Sequence, residues 1–483
     1  MLRKTPAVGE INIRKVCLVV FAAYLVAIGV FYFLAGDQLR YRDSVGNLPI
    51  PVSESGVGEI TAQRVVEQTF TPQIQRLESV SVQWGSYYRT NAGTVTMELW
   101  NARDNMLLLS ESYDAAAIEE NGFLTLTAEE PIETVYGTPL LLRISGDSQP
   151  GQAASPLMAG SVQREGETLS VNGQAISGTL CFSVSGQDYV WTGLHYPLFA
   201  AIGAAVLFAA LALIYYRVKT GQRSYVYNAL IAMWKYGFLI RQLVNRDFKT
   251  KYKRSVLGAF WSFLNPLLTM LVQYVVFSTI FKSDIPHYPA YLLIGIVMFN
   301  FFNEACAMSL TSIVGNTTLI TKVYMPKYIY PLTRVMSSVI NLAISLIPML
   351  LVTLVTGVHL HKSALLALYF FCCLIIFCLG LGLVLSTSMV FFRDTQFLWG
   401  VVSMMWVYAT PIFYPETILP ENLRFILLVN PIYHFLKYSR VCILNGISPE
   451  PRAYALCFVL AVGMLVVGAL VFRKEQDRFI LYL

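Results

Sequence analysis

Charged residues are scarce in this sequence. They make up 13% of its 483 residues against 55% hydrophobic residues, the mean hydropathy is +0.56, and lysine is missing between Lys15 and Lys219. A composition this apolar excludes a soluble multidomain protein and indicates a polytopic membrane protein. The formal net charge is only +6, and the basic residues between 217 and 254 stand beside apolar segments. Such placement indicates membrane topology and argues against a nucleic-acid partner.

Three chemical signatures are also missing. No Gly-x-x-x-x-Gly-Lys-Ser/Thr segment occurs, which excludes a phosphate loop for ATP within this sequence. Cys181 is alone in the polar region between the first two apolar runs, so a disulfide framework is excluded there, and we predict no metal site. His359 and His361 have no carboxylate nearby in the sequence, which argues against the acid–base site of a glycosyltransferase or acyltransferase.

Apolar runs of spanning length divide the chain. The first, 16–36, is longer than a signal-peptide core of about 7 to 15 residues, so we predict an anchor preceded by a cytoplasmic tail at 1–15. A second span is predicted at 196–217. Basic residues at the span ends place both termini in the cytoplasm. Six further spans are predicted within 256–483, at about 256–281, 291–313, 332–356, 364–392, 397–413 and 453–472.

Residues 37–195 have a different texture, with short alternating apolar runs and turn signals such as Asn121-Gly122. They predict an inserted all-β domain, an antiparallel sandwich that resembles the jelly-roll domains of bacterial envelope proteins of sugar pathways. The predicted topology places this domain outside the cell. Tyr88 and Trp100 are its candidates for stacking on sugar rings, whereas alternation places Trp84 in the core. Glycan binding, shielding of an exit and docking of another envelope protein all stay open as roles.

A basic segment leads into the second half of the chain. Apolar residues from Tyr236 to Phe248 recur at helical spacing, which predicts an amphipathic helix on the inner leaflet within 218–255. Positive charge here can orient the chain in the membrane, and it can also bind the pyrophosphate of a lipid carrier. The candidates for such binding are Arg246, Lys249, Lys251, Lys253 and Arg254.

From about Tyr236 to Leu483 the sequence resembles the polysaccharide-export branch of the ABC-2 type permeases, which includes O-antigen and teichoic acid exporters. The segments that carry the resemblance are Tyr252-Lys253-x-Ser255-x-Leu257-Gly258-x-x-Trp261, Gly295–Glu304, Asn316–Pro326, Phe391-Phe-Arg393-Asp394, Ala409-Thr-Pro411-Ile-Phe-Tyr414 and Asn430-Pro431. The resemblance implies the membrane subunit of an exporter of lipid-linked polysaccharide or oligosaccharide in the bacterial cytoplasmic membrane. Export of a glycolipid or drug stays open as an alternative; a sensor is less consistent, because 217–254 is too short for a signalling domain.

The resemblance also implies partners. Permeases of this kind work as homodimers with two copies of a separate ATPase subunit, so ATP and Mg would be bound by that partner and no cofactor by this chain. The chain itself would be a transport subunit and not an enzyme. The helix that rests on the ATPase would comprise Asn316, Thr318, Leu319, Ile320, Lys322, Val323 and Pro326, where Asn316 to Thr318 suit a helix cap and Pro326 a stop.

Two further segments carry expectations. Arg393 and Asp394 end an apolar run at the cytoplasmic face, where they either pair, cap helices or extend to the surface. Prolines interrupt 411–445, which predicts two short re-entrant helices that the resemblance implies to be an extracellular gate. Glu304 falls midway along a span and should face protein or a pore. The full set of pore and gate candidates is Phe299, Phe301, Phe302, Glu304, Trp406, Tyr408, Pro411, Phe413 and Tyr414.

Overall fold

The chain forms two compact units, Met1–Leu39 with His195–Leu483 and, inserted between these segments, Arg40–Leu194. We call them the helical unit and the β-rich unit. A computed structural model describes residues 13–45, 50–133, 135–162, 164–220, 225–253, 257–258, 260–279, 285–322 and 325–482.

The α-helices, all but α2 in the helical unit, follow the apolar runs of the sequence. In chain order they are α1 (Ile13–Ala35), α2 (Trp191–Leu194), α3 (Tyr196–Lys219), α4 (Tyr225–Lys235), α5 (Gly237–Tyr252), α6 (Phe260–Thr279), α7 (Tyr288–Leu310), α8 (Thr317–Lys322), α9 (Ile329–Val355), α10 (Ala367–Phe391), α11 (Thr395–Ala409), α12 (Arg424–Val429), α13 (Pro431–Leu444), α14 (Pro451–Glu475) and α15 (Phe479–Tyr482).

Among the described residues, seven helices are long and apolar enough to cross a membrane, those of α1, α3, α6, α7, α9, α10 and α14. The polytopic helical fold predicted from composition is therefore confirmed. Seven of the eight predicted spans correspond to these helices. The eighth, predicted at 397–413, is the 15-residue helix α11, which ends at Ala409 because the backbone is extended at Thr410 and Pro411 follows.

The predicted interfacial helix is divided in two. α4 ends at Lys235, Tyr236 is non-helical, and α5 starts at Gly237, the residue type that supports a helix interior least after proline. Leu243 on α5 is buried against Ile313, Tyr330 and Phe472 of other elements. This apolar side fixes α5 on the helical unit, so its charged residues are held at defined positions.

Close backbone contact joins α10 to α14. A side chain on Gly468 would lie 2.1 Å from the carbonyl oxygen of Gly380, so only glycine permits this approach. α7 is more enclosed than the other candidate spans, with Phe302 packed edge-on against Trp399 and Trp406 at centroid distances of 5.9 and 5.2 Å. The centre of the helical unit is therefore a packed core around α7.

The β-rich unit consists of two antiparallel sheets, which confirms the all-β prediction. One sheet has seven strands, with β1-β13-β4-β9-β12 in order and with β2 and β7 paired to β9 and β4; the other has six strands in the order β11-β10-β3-β8-β5-β6. The strands are β1 (Tyr41–Val45), β2 (Ser55–Gly56), β3 (Val66–Phe70), β4 (Arg76–Gly85), β5 (Thr94–Asn101), β6 (Met106–Asp114), β7 (Phe123–Glu133), β8 (Leu140–Gly146), β9 (Ser155–Ala159), β10 (Thr168–Val171), β11 (Gln174–Ile176), β12 (Thr179–Leu180) and β13 (Phe182–Tyr189).

Alternation along these strands fills the core between the sheets. Trp84 is fully buried, as predicted, and Phe70 of one sheet packs on Phe182 of the other at 5.0 Å between ring centroids. Each fully buried side chain of this size contributes about 1.5–3 kcal/mol to folding. The residues between the buried ones on β3, β5 and β8 face outward and stay available for surface chemistry.

Candidate functional site

A charged cavity of about 530 Å³ lies beside α5, α7 and α9 in the helical unit. We call it the basic pocket. Among the residues that the structure describes, three cations and two carboxylates line it, which gives a net charge of +1. The lining residues are Arg246, Asp247, Thr250, Lys251, Glu304, Met308, Gly315, Asn316 and Arg334.

Asp247 is the centre of one half of the pocket. Its side chain is only 5% exposed, and its two oxygens meet Arg246 at 3.1 Å and Arg334 at 3.0 Å. A carboxylate buried this far needs such compensation, because an unpaired charge would lose its hydration without a replacement. Arg246 also donates to Asn316 Oδ1 at 3.2 Å, which ties α5 to the turn before α8.

Glu304 is the centre of the other half. Its Oε1 meets Lys251 Nζ at 2.8 Å and accepts a hydrogen bond from Asn341 Nδ2 at 2.5 Å. Tyr252 donates to Asn341 Oδ1 at 3.0 Å and shares a hydrogen bond with the Ser262 hydroxyl. Glu304 lies in the last third of α7 rather than midway along the span as predicted, and it faces polar protein groups and a cavity.

The pocket has donors suited to an anion. The side chains of Arg246 and Lys251 are 48% and 42% exposed, so each can contact a ligand while keeping its carboxylate partner. Guanidinium and ammonium groups make strong charge-assisted hydrogen bonds to phosphate oxygens. The arrangement can therefore bind a phosphorylated group.

The basic residues predicted for such binding do not act as one cluster. Lys249 and Lys253 are exposed and are not among the residues that line the pocket, and Arg254 lies outside the described residues. Arg334 is a pocket residue that the sequence reasoning missed. Its signal was a lone arginine within the apolar helix α9, and an ionisable residue there indicates a function by default.

The segment predicted to rest on an ATPase forms the short helix α8 after a 3₁₀ turn, Val314–Asn316. Asn316 binds Ser312 O at 2.8 Å and Arg246, so its side chain anchors the turn instead of capping the helix. Leu319 and Ile320 pack on the apolar cluster that includes Leu243, while Thr318 and Lys322 are exposed. Pro326 follows the helix, and Val323 lies outside the described residues.

Arg393 and Asp394 are both exposed between α10 and α11. Asp394 precedes the first residue of α11, but its side chain makes no capping hydrogen bond. Within the described ranges neither side chain has an ion-pair partner. Of the three alternatives given by the sequence, the placement fits side chains that extend to the surface.

The backbone break after α11 is held by side chains. Trp406 Nε1 donates to Asn430 Oδ1 at 2.8 Å, and the same oxygen caps α13 by accepting from Ile432 N at 3.0 Å. Asn430 Nδ2 donates to the Thr410 hydroxyl at 2.9 Å. The two short helices α12 and α13 thus fall within the range predicted to be re-entrant, with α13 fixed to the end of α11.

Arg440 on α13 is the second residue that sequence reasoning missed. It is 7% exposed, and its guanidinium donates to the carbonyl oxygens of Pro411 at 2.6 Å, Ile412 at 2.8 Å and Tyr291 at 3.0 Å. Its guanidinium carbon also lies 3.4 Å from the centroid of the Tyr291 ring. Arg440 thereby satisfies the carbonyls of Pro411 and Ile412 in the break after α11 and joins the break to α7 through Tyr291.

The aromatic pore and gate candidates divide between core and surface. Phe299, Phe301 and Phe302 are buried in the packed core of the helical unit, so their placement is that of packing residues. Tyr408 is 64% exposed, whereas Trp406, Phe413 and Tyr414 are partly buried and Pro411 is buried. A lining role stays a prediction for the exposed and partly buried members of the set.

Tyr88 in the β-rich unit is 88% exposed, and both it and Tyr87 have left-handed backbone, with φ of 54° and 58°. This conformation is costly for large side chains and persists only when its surroundings fix it. Glu120 does so by accepting hydrogen bonds from Ser86 N at 2.7 Å, the Ser86 hydroxyl at 3.0 Å and Tyr88 N at 3.3 Å. Desolvation alone would raise the pKa of Glu120, but these hydrogen bonds outweigh it and lower the pKa.

Trp100, the other glycan candidate, is partly buried near the end of β5 and donates its Nε1–H to Glu98 at 3.0 Å. Tyr88 lies in the turn before β5 begins. The two residues therefore belong to opposite ends of one strand and do not form one site.

Comparison with known proteins addresses the helical unit. The family profile of the ABC-2 type transporter matches residues 238–444. An O-antigen export system permease protein RfbA of Klebsiella pneumoniae is 30% identical over 248 residues, which cover 50% of this chain and 95% of that protein. The Myxococcus xanthus protein of the same name is 27% identical over 51% of this chain and 96% of its own, and the polysialic acid transport protein KpsM of Escherichia coli is 22% identical over 50% and 95%.

Proposed function

The chain belongs to the ABC-2 type transporter family, and from this premise we infer that it is the permease subunit of an ATP-driven polysaccharide exporter. The observation that carries this inference is the similarity to polysaccharide-export permeases over 95% or more of the length of several of them. The seven candidate spans and the short helices α12 and α13 are consistent with a transport subunit. Export of a different cargo has no comparable support.

The cargo we propose is a polysaccharide or oligosaccharide attached to a phosphorylated lipid. The basic pocket supports this choice, because Arg246, Lys251 and Arg334 surround a cavity with a net positive charge. A pyrophosphate head group carries the matching charge, and its oxygens suit guanidinium and ammonium donors. We assign the initial binding of the head group to this pocket, in place of the wider basic cluster from Arg246 to Arg254.

We propose that the pocket faces the cytoplasm and that both termini and α8 lie on the same side. Arg217 and Lys219 in the last turn of α3 and Arg473 and Lys474 in the last turn of α14 support this orientation. The β-rich unit, inserted between α1 and α3, then lies outside the bacterial cytoplasmic membrane. Permeases of ABC exporters work with an ATPase partner. For this chain we propose a homodimer that assembles with two ATPase subunits, which bind ATP and Mg. We propose that each ATPase subunit contacts this chain through α8.

Deletion and complementation test this function. Deleting the gene should remove the surface polysaccharide and cause its lipid-linked precursor to accumulate inside the cell. The wild-type gene should restore export, whereas a Lys251→Gln variant that inserts normally should restore it poorly. Normal surface polysaccharide in the deletion strain would overturn the proposed function, and full complementation by Lys251→Gln would overturn the role of the pocket.

A further inference from the structure

The outward face of the six-stranded sheet in the β-rich unit carries two adjacent rows of side chains that cross five strands. Strand register sets both rows, because directly paired residues lie side by side on one face. The first row is polar and consists of Ser170, Glu67, Arg143, Glu98 and Ser110. On each strand the residue of the second row is two positions away from that of the first, except on β6, where a bulge makes the separation three. The second row consists of Thr168, Thr69, Leu141, Trp100 and Leu107.

Both rows face away from the core. On β3 and β5 the burial alternates, so that Gln68, Met97 and Leu99 are fully buried while Glu67 and Trp100 are not. Leu107 on the edge strand β6 is 44% exposed. An apolar strip of Leu141, Trp100 and Leu107 thus stays at the surface, although each of these side chains would be more stable inside.

The polar row is ordered but not closed to a ligand. Arg143 and Glu67 pair at 3.3 Å with side chains that are 45% and 28% exposed. Glu98 accepts the indole Nε1–H of Trp100 at 3.0 Å, which fixes the ring and uses one of several acceptor positions of the carboxylate. Exposed pairs of this kind contribute little to stability, so little is lost when a ligand takes over part of their hydrogen bonding.

Together the rows have the chemistry of a sugar platform. A pyranose presents hydroxyl groups at its edge and C–H groups on its face, and the two rows offer carboxylate, guanidinium and hydroxyl groups beside an indole and two leucines. The five strands span about 19 Å at an interstrand spacing near 4.8 Å, which is enough for several sugar rings. Two carboxylates against one guanidinium give the rows a net charge of −1, which disfavours an anionic chain.

We propose that this face, which we call the sheet platform, binds a glycan of uncharged pyranose residues, with Trp100 as the stacking residue and Glu98, Glu67 and Arg143 as hydrogen-bonding residues. The proposal rests on the proposed export function, because that function supplies glycan on the side where the β-rich unit would lie. It assigns Tyr88, at the other end of β5, no part in this site.

Binding to the full-length protein in lipid nanodiscs tests the platform. The probes are an array of defined hexose oligosaccharides without charge and, for comparison, oligogalacturonate, with calorimetry on whichever probe binds. We expect saturable binding of at least one uncharged oligosaccharide and weak or no binding of oligogalacturonate. Trp100→Ala should weaken binding at least tenfold, and Phe123→Ala, which removes an exposed aromatic residue from the other sheet, should leave it unchanged.

Glu98→Gln keeps the size of the side chain and serves if Trp100→Ala fails to fold; we expect it to weaken binding about tenfold. The proposal is overturned if no uncharged probe binds. It is also overturned if Glu98→Gln, and Trp100→Ala where that variant folds, bind with the affinity of the wild type. Preference for oligogalacturonate also overturns it. Polysaccharide export is measured in cells that carry the same protein, which separates the two proposals. Normal export without glycan binding overturns the sheet platform and leaves the proposed export function standing.

Discussion

Charged side chains are used differently in the two units of this protein. In the helical unit, Asp247 and Arg440 are almost completely buried, and each meets several partners. In the β-rich unit the pairs Glu67–Arg143 and Arg76–Glu133 lie at the surface with at least one member more than one-third exposed. Charged residues therefore fix backbone and helices in the helical unit. In the β-rich unit they stay at the surface, where they can contact a ligand with little loss of stability.

The difference follows from the surroundings. Water solvates a surface charge whether or not it is paired, so an exposed pair contributes about 0–1 kcal/mol. A buried charge has no water to solvate it, so removing one partner of a buried pair typically lowers the free energy of unfolding by about 3–5 kcal/mol. Removing a charged side chain should therefore lower the stability of the protein most at Arg440 and least in the β-rich unit.

We expect the largest effect from Arg440→Ala. It removes the guanidinium donor from the carbonyls of Tyr291, Pro411 and Ile412, of which Pro411 keeps the Tyr291 hydroxyl at 3.3 Å. A buried acceptor left without a donor costs about 1–3 kcal/mol. Thermal melting of the detergent-solubilised protein should fall by several degrees, with Arg440→Lys in between. Arg424→Ala, which removes an exposed arginine paired with Glu421, is the control and should melt like wild type. Equal melting of both alanine variants would refute the comparison.

Asp247→Asn should lower the free energy of unfolding less, by about 2–3 kcal/mol. The substitution leaves Arg334 without its carboxylate, while the more exposed Arg246 can be solvated by water. Arg334→Gln should cost a similar amount. The double variant should cost at least 0.5 kcal/mol less than the sum of the two, since both changes remove the same contact. Additive melting shifts would mean that the two residues do not act as a pair.

Lys251 and Glu304 should separate stability from function. Their side chains are 42% and 27% exposed, so either substitution to Gln should cost less than about 1 kcal/mol. Export should nevertheless fall in Lys251→Gln, which removes a phosphate donor, and should be largely kept in Glu304→Gln, which frees the lysine. The rate of polysaccharide appearance at the cell surface measures this, and a reversed order would argue against lysine as the donor.

The smallest effect is expected in the β-rich unit and depends on pH. The lowered pKa of Glu120 means that its carboxylate stabilises the Tyr87–Tyr88 turn above its ordinary value of 4.5, and that this contribution is lost as the pH falls through the lowered pKa. Protease cleavage within residues 86–93 should therefore be faster in Glu120→Gln than in wild type at pH 7. The two should become equal only once the pH lies below the lowered pKa of Glu120, while Glu119→Gln should match wild type throughout.

The sequence allowed a good part of this structure to be predicted. Long apolar runs identified the helices that can span a membrane, and alternation placed Trp84 in the core of a β-rich unit. Glu304 was also singled out, because a carboxylate within a span needs a polar neighbour, although it lies nearer the end of α7 than the predicted bounds placed it. These features depend on local pattern, which a sequence displays directly.

Other features depend on contacts between distant segments. Arg334 is the single charge of the apolar helix α9, whereas Arg440 shares α13 with Lys437. No local pattern tells that Arg334 meets Asp247 and that Arg440 meets three carbonyls. The buried placement of Phe299, Phe301 and Phe302 likewise depends on what surrounds α7. Strand register, which produces the two rows of the sheet platform, cannot be found from the strands taken one at a time.

We propose that this chain exports a lipid-linked polysaccharide whose head group binds the basic pocket. Proteoliposomes that contain the purified protein and its ATPase partner test it most directly, with labelled lipid-linked glycan on the side of the ATPase. We predict ATP-dependent transfer of the glycan to the other side, at least tenfold slower in Lys251→Gln and close to wild type in the exposed-residue control Lys249→Gln. Equal transfer by all three proteins would contradict the role of the pocket, and no transfer by the wild type would contradict the export function.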